Sequence, residues 1–130
     1  MRILLDTQIA IWALTDTKRL SVRARSLIAD EANDVFISAV SVWEIAIKFA
    51  LGKRSGAPPF SGAVALDAFI AAGYRMLNVT AQHAAGVERL PPLHADPFDR
   101  LLVAQALLEP LRLLTADAAL AGYGAMIIEA

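Results

Sequence analysis

The chain contains no cysteine, which excludes a disulfide framework and any thiolate metal site. Histidine is scarce: His83 and His94 are the only two, and neither has the partner spacing typical of zinc ligands. No uninterrupted apolar stretch approaches the roughly 20 residues a membrane helix requires. The opening Met1-Arg2-Ile3-Leu4-Leu5-Asp6 meets an acid too early for a signal peptide. A cytoplasmic protein with no membrane association is therefore expected. There is also no excess of positive charge. Twelve Lys and Arg against thirteen Asp and Glu leave a net charge of −1, which argues against a large phosphate-contacting surface. A Gly-rich phosphate loop is missing too. Gly52-Lys53-Arg54-Ser55-Gly56 has glycines but lacks the G-x-x-x-x-G-K-[ST] spacing and does not join a strand to a helix.

What the chain has in abundance is apolar side chains, 57% of its residues. Its mean hydropathy is +0.51. At 130 residues it reads as one domain, 1–130. A domain of this size buries roughly two thirds of its unfolded surface. The surplus apolarity points to a buried sheet plus an exposed face covered by a partner or a second copy. Five brief apolar runs bounded by turn or cap residues predict strands at 2–5, 35–38, 75–79, 111–115 and 125–128. Helical patterns fall between them at 7–14, 21–32, 39–51, 63–72, 80–88, 97–108 and 117–121. Ser21 and Thr80 read as N-caps, and Gly52, Gly73 and Gly122 as stops. Strands alternating with helices predict an α/β fold whose parallel sheet is covered on both faces. Ser55 to Gly62 and Pro91-Pro92 read as loops.

Four acids stand at or just beyond the ends of apolar segments. Asp6 follows Ile3-Leu4-Leu5, Asp117 follows Leu113-Leu114-Thr115, Glu44 lies shortly after Val35 to Ser38, and Asp99 opens the helix running to Leu108. Each also has an ordinary structural role open to it. Asp6 and Asp117 can cap the helices that follow them. Asp96-Pro97-Phe98-Asp99 reads as an N-cap, a proline at the first helical position and a dipole-stabilising acid. Glu44 can pair with Lys48 one turn on, or complete a capping box with Ser41. Capping alone would be served equally well by Ser, Thr or Asn. In a parallel sheet, however, strand C-termini and helix N-termini open on one edge, where ligands bind. Four carboxylates gathered there would repel one another unless a cation compensated. Oxygen donors alone suit Mg²⁺ or Mn²⁺, which can activate water and stabilise an in-line displacement at phosphorus. Thr7 and Thr115 can support the carboxylates through their hydroxyls.

His94, two residues before Asp96, is a candidate substrate contact; His83 reads as a surface or boundary residue. Trp12 and Trp43 lie in apolar helical stripes and read as core or partner-interface residues. Lys18, Arg19, Arg23 and Arg25 form one basic group. Lys48, Lys53 and Arg54 form another, a candidate guide for a phosphate-bearing substrate.

The segments Leu4-Leu5-Asp6-Thr7, Ile37 to Ile45, His94 to Ala106 and Leu114-Thr115-Ala116-Asp117 together resemble the PIN-domain ribonucleases, and most closely the VapC toxins of bacterial type II toxin–antitoxin pairs. The D-P-F-D-R-L-L-V-A-Q-A block is the most specific part. The resemblance implies a three-layer fold with a five-stranded parallel sheet. It also implies Mg²⁺- or Mn²⁺-dependent endonucleolytic cleavage of RNA, a homodimer, and inhibition by a cognate VapB-like antitoxin. It matches Asp6, Glu44 and Asp99 to the principal metal-binding acids, Asp117 to the more variable fourth, and Thr7 and Thr115 to supporting hydroxyls. Asp96 is chiefly a cap on either reading. Gln8 departs from the family, where His is frequent, and so does Ala95, where a basic residue is common. The alternative is a non-catalytic binding module of the same fold. A phosphoacceptor domain would need a lysine near the last strands, and the last lysine is Lys53. A haloacid-dehalogenase-like phosphatase would need an Asp where Gln8 stands.

Overall fold

The computed structural model describes residues 1–52 and 56–130. Lys53 and Arg54 lie outside the described residues. Side chains on successive strand residues point to opposite faces, and here both faces are apolar. In β1 (Arg2–Leu5), Ile3 and Leu5 join one buried cluster and Leu4 joins another. In β2 (Asp34–Ser38), Val35 and Ile37 divide from Phe36 in the same way. The pattern repeats in β3 (Arg75–Leu77) with Met76 against Leu77, and in β4 (Arg112–Thr115) with Leu114 against Leu113. In β5 (Ile127–Glu129) it is Ile128 against Ile127. All neighbouring pairs are parallel, in the order β3-β2-β1-β4-β5. The central strand is fixed in register on both sides, Ile3 standing opposite Val35 of β2 and Arg112 of β4.

Helices cover both faces, giving three layers. The first cluster draws on α1 (Thr7–Thr15), α2 (Val22–Ala29), α3 (Ala39–Leu51) and α4 (Gly62–Ala71), through Ile9, Ala24, Ile45 and Phe69 among others. On the opposite face, α5 (Ala81–Gly86) packs beside α6 (Pro97–Leu108), which supplies Leu102, Val103, Ala104 and Ala106 to the second cluster. Serine or threonine side chains cap four of these helices. Ser21, Ser38, Ser61 and Thr80 each accept a backbone N–H of the first turn, leaving fewer donors unpaired. Gly73, at φ +87°, takes the left-handed turn that ends the α4 segment.

Several boundaries differ from expectation. The helix expected over 21–32 stops at Ala29, because Asp30 and Glu31 would oppose the dipole at its C-terminus. Asp30 instead accepts Ala32 N–H at 2.9 Å, and the Asn33 amide donates to Leu27 O at 2.9 Å. Helix α4 begins at Gly62, which looked like loop. The strand expected over 75–79 ends at Leu77, and that expected over 125–128 spans Ile127–Glu129. The segment 80–88 splits into α5 and a 3₁₀ turn at Val87–Arg89. Ala118–Tyr123 is 3₁₀ rather than α.

The sheet order places a reversal beside the centre. From β1 the chain moves outward to β2 and β3, then returns to β4 on the other side of β1. Ligands in open α/β sheets bind outside the strand C-termini at such a reversal. Asp6 leaves β1 there, its N–H donating to Leu114 O of β4 at 3.0 Å.

Candidate metal centre

Asp6, Glu44, Asp99 and Asp117 all line one cavity of about 350 Å³ at this edge, together with Thr7, Gln8, Lys48 and Asp96. The structural roles open to these acids are realised alongside their convergence. Asp6 caps α1, its Oδ1 accepting Ile9 N–H at 2.8 Å. Asp117 caps the following 3₁₀ turn, accepting Ala119 N–H at 2.9 Å. Asp96 caps α6, accepting Phe98 N–H at 2.8 Å, and Pro97 occupies the first turn. Asp99 therefore faces the cavity free of the capping duty.

The supporting hydroxyls divide. Thr115, fully buried, donates to Asp6 Oδ2 and accepts Asp117 N–H at 3.0 Å, so one side chain ties the ends of β1 and β4 together. Thr7 lies 2.9 Å from the Ser41 hydroxyl instead of a carboxylate, joining α1 to α3. Ser41 was foreseen only as half of a capping box with Glu44. That box does not form, because α3 starts at Ala39 under Ser38.

The electrostatics are those of crowded, partly desolvated anions. Burial pushes the Asp6 carboxyl up to about 6, with Glu44 and Asp117 adding repulsion against the hydrogen bonds from Thr115 and Ile9. Burial and then the charges of Asp96, Asp6 and Glu44 push Asp99 up to about 7. Asp117 goes the other way, held below its ordinary value chiefly by a hydrogen bond from His94. Glu44 is only 6% exposed. Its Oε2 takes the Lys48 ammonium at 2.5 Å, while its Oε1 is buried with no hydrogen-bond partner among the described residues. Four converging carboxylates, two of them with raised pKa, fit a divalent cation that prefers oxygen donors. Asp6, Glu44, Asp99 and Asp117 could hold it.

The PIN-domain family model matches residues 3–125. The chain belongs to the PIN-domain family. Solved structures share the fold of this PIN domain at low identity. VapBC2 from Rickettsia felis, bound to a DNA fragment from their promoter, is 18% identical with a TM-score of 0.69, the alignment covering 100% of this chain and 98% of that one. FitAcB from Neisseria gonorrhoeae is 21% identical, TM-score 0.57, with 90% and 88% covered. DNA-bound VapBC from Salmonella typhimurium is 15% identical, TM-score 0.61, with 99% and 98% covered. No curated protein matches the sequence.

Other foreseen residues fall unevenly around the PIN-domain crevice. Lys48 reaches the cavity, but its charge is spent on Glu44. His94 does come to the acids, with Nε2 3.0 Å from Asp117 Oδ2 and 3.4 Å from Asp99 Oδ2. His83 is not a surface or boundary residue. It is 2% exposed and takes Glu109 at 2.6 Å, with Gln105 beside it. A helix as short as α5 shows no periodicity from which that burial could be read. Trp43 is 56% exposed and stands edge-on to Phe98 at 5.0 Å, whereas Trp12 packs against the first core cluster. Arg100, which drew no attention in the sequence, threads its guanidinium among the loops below His94. Its position directly after Asp99 was the only signal.

Proposed function

We propose that this chain, as a single nuclease unit over 1–130, is an endoribonuclease dependent on Mg²⁺ or Mn²⁺. We further propose that it is the VapC-type toxin of a toxin–antitoxin pair, acting in the cytoplasm as a homodimer and neutralised by a VapB-like antitoxin. The observation that carries the catalytic part is the convergence of Asp6, Glu44, Asp99 and Asp117 on one cavity, with Glu44 Oε1 buried there and unpartnered among the described residues. The fold shared with VapBC structures supports the rest.

Asp6, Glu44, Asp99 and Asp117 would hold the ion. When bound, it supplies a nucleophilic water at neutral pH and charge compensation for the phosphodiester. The chain's own work is orientation. Thr115 fixes Asp6 in the rotamer that also caps α1. Lys48 pairs with one oxygen of Glu44 at the cavity wall and fixes that carboxylate in place. Lys53 and Arg54, of the same basic group, follow α3 in sequence. With a net charge of −1, the footprint is short, on the order of a few phosphates, and the salt dependence shallow. Unpaired bases can be splayed and read at the rim, so a single-stranded loop suits the crevice better than a duplex.

The test is end-mapping of RNA cut by the purified protein, with and without Mg²⁺. Metal-dependent cuts at one or a few loop sites, leaving 5′-phosphates, are expected. Asp99→Asn should abolish metal-dependent cleavage, because it removes one of the carboxylates that would hold the ion. Cleavage at full rate in chelator, or 2′,3′-cyclic phosphate ends, would sink the mechanism. Binding without any cleavage would favour the non-catalytic module.

A further inference from the structure

His94, Asp99 and Asp117 place donor atoms within 4.8 Å of one another, close enough to share an ion. The far side of the imidazole argues against that use. His94 Nδ1 lies 3.0 Å from the backbone N–H of Asp96, a group that can only donate. Nδ1 therefore accepts and carries no proton, and a neutral ring must keep its proton on Nε2. A metal ligand would need the lone pair at Nε2. With Nδ1 accepting, Nε2–H points at Asp117 and Asp99 as a donor instead.

The backbone that carries the ring is held as well. Arg100 donates to the carbonyls of Val87, Leu90, Pro91 and His94 and to the Tyr123 hydroxyl, at 3.0 to 3.5 Å. Its known partners are neutral oxygens, so the guanidinium serves to clamp the segment that carries His94. Asp117 needs such help. Its side chain is 42% exposed, the most open of the four acids for which the contrast matters, Asp6 and Glu44 being buried.

We propose that His94 is a positioning residue: locked as the Nε2–H tautomer by the Asp96 backbone, it holds the exposed Asp117 against Asp99 and makes that acid a working part of the crevice without itself binding the ion. The inference rests on the metal-binding reading above. It agrees with the direction in which His94 moves the Asp117 carboxyl. Groups that orient a metal ligand from behind commonly change affinity as strongly as a weak ligand does.

Long-range ¹H–¹⁵N correlation spectra of the folded protein, without metal and with saturating Mg²⁺, read the tautomer directly. A bare Nδ1 and a protonated Nε2 are expected in both states. Calorimetric Mg²⁺ titration reads the role. His94→Ala should weaken binding about tenfold. His94→Gln, whose amide can still donate, should recover most of the loss. In an Asp117→Ala background, His94→Ala should have no further effect, since it acts through Asp117. Mg²⁺ binding by wild type with a bare Nε2 would make His94 a ligand and overturn this proposal alone. So would equal losses from His94→Ala with and without Asp117. Failure of wild type to bind Mg²⁺ at all would sink the metal reading and this proposal with it.

Discussion

Asp6 and Asp99 carry raised pKa values, about 6 and about 7, against an ordinary 3.8. Between pH about 4 and about 7 the folded protein holds protons that the unfolded chain has already released. Metal-free stability therefore falls as pH rises through that window. In chelator, the melting temperature at pH 5.5 should exceed that at pH 8 by a few degrees. Saturating Mg²⁺ should narrow the gap by stabilising the folded carboxylate form at pH 8. Asp99→Asn should flatten the profile without metal; a wild-type profile that rises toward pH 8 in chelator would contradict the electrostatics. The acids were legible in the sequence because each adjoins an apolar run, and adjacency survives in one dimension. Thr115 and His94 were legible as neighbours of the site, but not the acid that each one meets. Thr115 meets Asp6 across 109 positions, and His94 meets Asp117 across 23, so neither pairing has a local signature. His83 was misread for the same reason: Glu109 is 26 positions away.

Among the elements, α3 and α6 match expectation at both ends, Ala39–Leu51 and Pro97–Leu108, because caps and apolar periodicity agree there. The edge strands and the 3₁₀ turns were harder, since hydrogen-bond supply from a neighbour decides where they stop. Gly62 shows how packing overrides local chemistry. Read alone it suggests loop, yet it sits in the first turn of α4, against α3. A Cβ built on it would stand 2.7 Å from Ala46 Cβ. Helix propensity favours Ala over Gly by about 1 kcal/mol, but overpacking costs about 1–3 kcal/mol. Gly62→Ala should therefore lower the melting temperature, and Ala46→Gly should relieve part of the loss. A rise in thermal denaturation midpoint for Gly62→Ala would show that the two helices are not in tight contact.

At the scale of the whole molecule, the surplus apolarity is partly explained by a sheet buried on both faces. The remainder is on the surface. Trp43, Phe49 and Leu51 on α3 and Val64 and Ile70 on α4 are exposed, and an apolar groove of about 510 Å³ is lined by Val42, Trp43, Ala46 and Leu66. Patches of this kind mark interaction surfaces. A homodimer is expected at micromolar concentration, and light scattering would refute it by showing a monodisperse monomer. Charged substitutions at Val64 and Ile70 should shift the equilibrium toward monomer if α4 is the contact.

The bond from Thr115 to Asp6 also orders events in time. A growing polypeptide makes Asp6 and Glu44 early, but β1 has no β4 beside it until residues 112–115 exist. Pairings this distant in sequence form late. On the nuclease reading, an unfinished chain is harmless: Asp6 lacks its hydroxyl partner, and Asp117 has not yet been made. Catalytic competence arrives only near the completion of this segment, an interval in which an inhibitor already present could find its target before the first phosphodiester is cut.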